Sequence, residues 1–125
     1  MTGATLDSGA LIAFERAKRK AVTLITRALH HGDRLAVPAG AVAQVWRDGS
    51  KQARLARLLA SDLVDVVPLD DPTARAVGQL SGVTGSYDAV DVSVILCARY
   101  RDHPILTSDL KDLRRIDPRV ELVKV

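Results

Sequence analysis

Asp88 and Asp91 stand three residues apart at the head of a mostly apolar stretch, Tyr87 to Arg101, with the sequence YDAVDVSVILCARYR. That spacing puts both carboxylates on one helix face, about 5–6 Å apart at Cβ. Two such anions repel unless a helix N-terminus, a basic side chain or a metal ion lies beside them. Asp7 and Asp109 are further acids, each just after a short apolar run that reads as a strand. Carboxylates brought from separate segments to one crevice raise one another's pKa, and a cation relieves them. An oxygen-only donor set suits hard divalent ions, Mg2+ or Mn2+, which keep waters and engage substrate phosphate. That chemistry is the one used by metal-dependent nucleases.

A plainer account makes every one of these acids a helix cap. Asp88 with Asp91 at the third helical position is a variant of the capping box, Asp109 and Asp112 repeat the spacing, and Asp7 precedes a helix of its own. Each cap contributes about 1 kcal/mol, and serine or threonine would serve as well. Capping explains each acid singly; it does not explain why Asp7, Asp91 and Asp109 arrive at one place.

The elements that must bring them there follow from the pattern. Thr2 to Leu6 is a strand ending on Asp7, followed by helices over Ala10 to Arg16 and Lys18 to His30, the second closed by Gly32. Arg34 to Pro38 is a second strand and Ala39 to Arg47 a helix. Ser50 is the expected N-cap of a fourth helix, which runs to Leu59 or Ala60. Leu63 to Leu69 is a third strand. Asp71-Pro72 opens a helix to about Leu80, with Gly82 to Ser86 as a loop before the Asp88 helix. Strand Ile105 to Thr107, helix Leu110 to Ile116 and strand Val120 to Val125 close the chain. Strands alternating with helices predict an α/β fold in three layers, a mostly parallel sheet of about five strands with helices on both faces. Ligands in such folds sit at the carboxyl ends of strands where the strand order reverses. The first and fourth strands are expected side by side there, which puts Asp7 and Asp109 at one crevice.

The 125 residues suffice for one domain with a sizeable core, expected to span 1–125. With 47% hydrophobic and 26% charged residues the chain is of ordinary globular composition, and its 3% aromatic content argues against base-stacking platforms. Its net charge of +3 permits a polyanionic partner. A single cysteine, Cys97, excludes an internal disulfide framework and a cysteine-cluster zinc site, and its setting is that of a small core residue. No apolar run approaches the roughly 18–20 residues that span a bilayer. Met1 to Ala10 has no basic side chain and no apolar segment of a signal peptide follows, so a cytoplasmic location is expected. His30, His31 and His103 have no nucleophile at motif spacing. Ser8 and Ser108, beside Asp7 and Asp109, read as supports for the carboxylates or for a phosphate. The basic run Arg16 to Lys20 reads as a solvated face, Arg114 and Arg115 are nearer the expected crevice and are the better candidates for RNA contact, and Trp46 is expected in the core or at a subunit contact.

The sequence resembles the PIN-domain family, and within it the VapC-type toxins of toxin–antitoxin pairs. The matching pieces are LDSGALIAFE, VPAGAVAQVWR, DAVDVSVILCA and ILTSDLKDL, which in order and spacing cover nearly the whole chain. The resemblance puts the family's first acid on Asp7, the acid of its late helix on Asp91 with Asp88 one turn earlier, and its last acid on Asp109. Thr107 is the companion of Asp109, and Asp112 a further supporting group. Where the family usually has a glutamate this chain has Gln44, a neutral amide that ligates only through its carbonyl; Asp48 is a conceivable substitute. The resemblance implies a PIN-like fold and a Mg2+- or Mn2+-dependent endoribonuclease acting on an RNA substrate. It assigns Asp7, Asp91 and Asp109 as metal ligands, with Asp88 and Gln44 assisting. It also implies a homodimer and a cognate VapB-type antitoxin. Two rivals remain: a receiver-like phosphoacceptor built on Asp70-Asp71, and a PIN domain that only binds its antitoxin or RNA.

Overall fold

The structure, a computed structural model, describes residues 3–125. Met1 and Thr2, and with them the expected start of the first strand, lie outside the described residues. In chain order the elements are β1 (Gly3–Leu6), α1 (Ser8–Glu15), α2 (Arg19–His30), β2 (Arg34–Pro38), α3 (Ala39–Val45), α4 (Ala53–Leu59), β3 (Val64–Val67), α5 (Asp71–Thr84), α6 (Ala89–Arg101), β4 (Ile105–Thr107), α7 (Leu110–Ile116) and β5 (Leu122–Lys124).

The strands form one sheet in the order β3-β2-β1-β4-β5, and every pairing is parallel. The chain winds outward from β1 to β3, then returns to the other side of β1 for β4 and β5. The strand order therefore reverses at β1 and β4, which pair Thr5 with Ile105 and Leu6 with Leu106. A parallel sheet needs cover on both faces, and alternation along the strands provides two cores. Ala4, Leu6, Leu35, Val37 and Leu106 pack with Leu11 and Phe14 of α1, Ile25 of α2, Val45 of α3 and Leu55 of α4. Ile105 packs on the opposite side with Val77 of α5, Val92, Ile95 and Ala98 of α6, and Leu113 of α7. Cys97 is buried and free, as a small core residue.

Several local expectations need correction. Ser50 does not cap α4: its N–H and hydroxyl both bond Asp48 Oδ1 at 3.0 and 2.7 Å, closing a turn, and Gln52 is the N-cap position instead. Asp70, not Asp71, caps α5, accepting the Thr73 N–H at 3.0 Å. That helix runs on through Gly82 to Thr84, because a mid-helix glycine costs only about 1 kcal/mol. Gly85, at φ 73°, supplies the left-handed residue that stops it. Strands β3 and β5 are shorter at both ends than the apolar runs that announced them. Trp46 is not in the core: it stays 39% exposed.

Candidate functional site

Asp7 leaves β1 in extended conformation and caps α1. Its Oδ1 accepts the Ala10 N–H at 2.8 Å, and its Oδ2 accepts the Thr107 hydroxyl at 2.5 Å. Asp7 and Thr107 are both buried although one hundred residues separate them, because β1 and β4 are neighbours. Burial pushes the Asp7 carboxyl up; the bonds from Thr107 and Ala10 oppose it, the charge of Asp109 adds to it, and the balance lies above the ordinary value.

The turn after β4 mirrors the one after β1. Asp109 caps α7, its Oδ1 accepting from Lys111 N at 3.1 Å and Asp112 N at 3.4 Å. Its own N–H donates to Thr107 Oγ1 at 2.9 Å, so Thr107 ties both acidic turns together. The two turns touch: a Cβ added at Gly9 would meet Ser108 Oγ at 2.1 Å and Ser108 Cβ at 3.1 Å. Gly9 is thus a site-forming residue that sequence reasoning passed over. Its only signal was a side-chain-free position directly after Asp7-Ser8.

The third contributor is the head of α6. Asp88 caps it, accepting the Asp91 N–H at 3.0 Å. Asp91 is half-buried, and its carboxyl is pushed up to about 6 by burial first, then by Asp88, Asp112, Asp7 and Asp109 in that order. Asp91 therefore stands within electrostatic reach of every other acid expected at the site. Beside it lies a hollow of about 290 Å³, lined by Ser86, Tyr87, Asp88, Asp91, Asp112 and Arg115 among others. Arg115 is the one cation on that lining; Arg114, exposed on the same helix turn, is not part of it.

Gln44 arrives from α3. Its Oε1 accepts the Ser8 hydroxyl, which fixes the amide beside the Asp7 turn. One turn earlier on the same face of α3, a Cβ at Gly40 would stand 3.2 Å from Val90, so the helix is wedged against the start of α6. Gln44 adds no charge to the acids it approaches. Asp48 does not replace it: that carboxylate is exposed and engaged with Ser50, whose hydrogen bonds hold it below its usual range.

The donor chemistry suits a hard divalent cation, since the converging groups are carboxylates with hydroxyl and amide neighbours. Among the described residues, no three His, Cys, Asp or Glu side chains stand close enough together to hold an ion between them. The mutual influence on Asp91 and this spacing report different ranges: the charges are felt well beyond ligation distance. The set fits an ion held by one or two carboxylates with water around it, the habit of Mg2+, and not a closed protein cage.

The fold is thus an all-parallel α/β/α sandwich with carboxylates gathered where the strand order reverses. More particularly, residues 4–118 match the PIN domain model, and the chain belongs to the PIN-domain family. No curated protein matches it by sequence. Among solved structures, it is similar to VapBC2 from Rickettsia felis bound to a promoter DNA fragment (TM-score 0.68, 13% identity, 98% of each chain covered). It is similar too to a toxin–antitoxin complex from Klebsiella pneumoniae (0.68, 18% identity, 96% of this chain and 95% of that one). A third is VapBC-5 of the VapBC toxin–antitoxin family from Mycobacterium tuberculosis (0.56, 19% identity, 100% and 98%). At these identities the likeness is one of fold. Among the described residues no helix is long and apolar enough to cross a membrane.

Proposed function

We propose that this chain is a metal-dependent endoribonuclease, the VapC-type toxin of a toxin–antitoxin pair. It would act in the cytoplasm as a homodimer, restrained by a cognate VapB-type antitoxin. The observation that carries the reading is Asp91: a half-buried carboxyl pushed up to about 6 with four further carboxylates acting on it. A structural acid is ordinarily given a cation or donors of its own; this one is given other acids.

Asp7, Asp91 and Asp109 are the groups that would hold Mg2+ or Mn2+, one or two of them directly and the rest through its waters. When bound, such an ion lowers the pKa of water and neutralises charge gathering on a scissile phosphate. Thr107 and the Ala10 N–H keep the Asp7 carboxylate in one rotamer. Asp88 and Asp112 add negative potential at Asp91, which favours a cation. Gln44, its oxygen occupied by Ser8, has its amide N–H groups left to donate to water or phosphate. Ser8 and Ser108 support the two acidic turns. Arg115, and Arg114 from its exposed position, would meet the phosphates of the RNA.

The weaker reading is a PIN domain that binds its antitoxin or RNA without cutting. The neutral Gln44 and the spacing of the carboxylates favour it. Purified protein incubated with total RNA and Mn2+, with and without chelator, separates the two. Cleavage that chelator stops and Asp91→Asn abolishes supports the nuclease. RNA left intact at every metal concentration, with no growth arrest on expression, overturns it.

A further inference from the structure

Trp46 presents a problem of packing. It is the chain's single tryptophan, yet it stays 39% exposed at the C-terminal end of α3, two residues beyond Gln44. Two residues apart at the end of a helix, Gln44 and Trp46 leave α3 on different sides, which puts the ring on the flank of the candidate site and not in it. A ring left in water by accident would sit on a loose loop. This one does not. Gln52, itself buried, accepts the N–H groups of Arg47 and Asp48 through Oε1 at 2.7 and 3.0 Å. Its Nε2 donates to Val45 O at 3.0 Å and to Glu15 Oε1 of α1 at 2.9 Å. Every hydrogen-bonding group of one buried amide is thus used to fix the segment that carries Trp46. The indole also lies on Gly49, where an added Cβ would stand 2.9 Å from the ring. That contact is made by Cζ2 and Cη2 of the indole, and the ring as a whole stays 39% exposed.

The surroundings are basic. From Trp46 to Arg57 the sequence WRDGSKQARLAR has four cations, Arg47, Lys51, Arg54 and Arg57, all exposed, against the single acid Asp48. The acids around Asp91 repel a polyanion, so a nucleic acid reaching them must be held elsewhere, and this flank is suited to hold it. A fixed aromatic face among cations is how proteins hold unpaired nucleotides: the base stacks on the ring and the phosphates meet the cations.

We propose that Trp46 is a stacking platform for one unpaired base of an RNA strand whose cut site lies at Asp91, with Arg47, Lys51 and Arg54 along its phosphates. The inference rests on the nuclease reading above and adds the residue on which one base of the substrate would rest. It also qualifies the expectation that an aromatic-poor chain lacks such platforms.

Because Trp46 is the only tryptophan, its fluorescence reports on itself. A short oligouridylate is titrated into the protein in chelator, where no cleavage intrudes, alongside a duplex RNA of equal length. The account expects saturable quenching by the single strand and little by the duplex. It expects Trp46→Ala to weaken single-strand binding about fivefold or more, the size of one lost base stack, and Trp46→Phe to restore most of it. With Mn2+ present, Trp46→Ala raises KM more than it lowers kcat. Single-strand binding that leaves the fluorescence unchanged and is indifferent to Trp46→Ala overturns the platform while sparing the nuclease. A shift in oligomeric state in Trp46→Ala, with RNA affinity intact, assigns the ring to a contact between copies and overturns the platform likewise. Wild-type protein that binds neither RNA fails the nuclease reading itself.

Discussion

The two ends of the sheet treat aspartate in opposite ways. At the amino end, Asp65 receives a two-pronged contact from Arg34, at 3.0 Å from Nε and 2.7 Å from Nη2, and that bond holds its carboxyl below the usual range. Asp117, at the close of α7, bonds Arg99 Nε at 2.9 Å and the Arg119 N–H at 2.9 Å. Burial alone would raise Asp117, but those donors outweigh it and it too lies low. At the carboxyl end Asp7 and Asp91 are both raised, by burial first and then by other acids. The same residue type is thus neutralised by arginine where it is structural, and left facing its own kind where the strands reverse. An acid supplied with an arginine fastens the fold. At the reversal no arginine is paired with an acid among the described residues: Asp7 is held by Thr107 and Ala10, and Asp91 faces other carboxylates.

That contrast can be broken most forcefully at the acidic end. Asp91→Asn and Asp7→Asn are each expected to lower RNA cleavage by at least about 100-fold, beyond the 10–100-fold typical of groups that merely orient a ligand. Asp91→Asn should leave the melting temperature of the metal-free protein unchanged or higher, since it removes mutual repulsion. Parallel cleavage assays and thermal melts read both. A variant that loses cleavage only because it melts early would cancel the contrast.

Thr107→Val tests the link between the turns. It leaves a buried carboxylate oxygen without its donor, which costs about 1–3 kcal/mol of stability, and cleavage should fall about 10- to 100-fold with it. Denaturant melts and initial rates measure the two effects. At the other end, Asp117→Asn removes an arginine-paired acid. It should cost about 1 kcal/mol and leave the cleavage rate unchanged.

The smallest effect is also the most diagnostic, because the two ends must respond to pH with opposite sign. Asp91 is raised on folding, so its neutral form contributes stability below the unfolded value near pH 4, and that contribution is lost as pH rises through about 6. Asp65 and Asp117 are lowered, so their contribution is present above about pH 4 and is lost as pH falls further. Thermal melts of metal-free protein should show a shallow decline from about pH 4 to about 6 that Asp91→Asn reduces, leaving the part of the same sign due to Asp7. A flat profile in the wild-type protein across that window would contradict the assignment.

How much of this was legible in the sequence depends on range. Alternating apolar runs and helical stripes give the element order and the parallel sheet, because those signals are local and periodic. The capping pairs Asp88–Asp91 and Asp109–Asp112 were legible too, and the structure makes capping and convergence compatible: Asp7 caps α1 through one oxygen and meets Thr107 with the other. The contacts hidden from the sequence are those that tie distant segments without a pattern. Gly9 against Ser108, Ser8 on Gln44, and the Gln52 amide that fixes the Trp46 segment all depend on where whole elements land. Boundaries failed where two polar residues compete for one role, as with Ser50 and its partner Asp48, or Asp70 and Asp71.

If the acids at the strand reversal, and not those at the amino end, form a divalent-cation site, the protein takes up Mn2+ through them. Mn2+ binding measured by calorimetry above and below about pH 6 tests it directly. The account predicts that the wild-type protein binds Mn2+, more weakly and with proton release at the lower pH, that Asp91→Asn loses this binding, and that Asp117→Asn keeps it. Equal Mn2+ affinity in the wild-type protein and Asp91→Asn would contradict it.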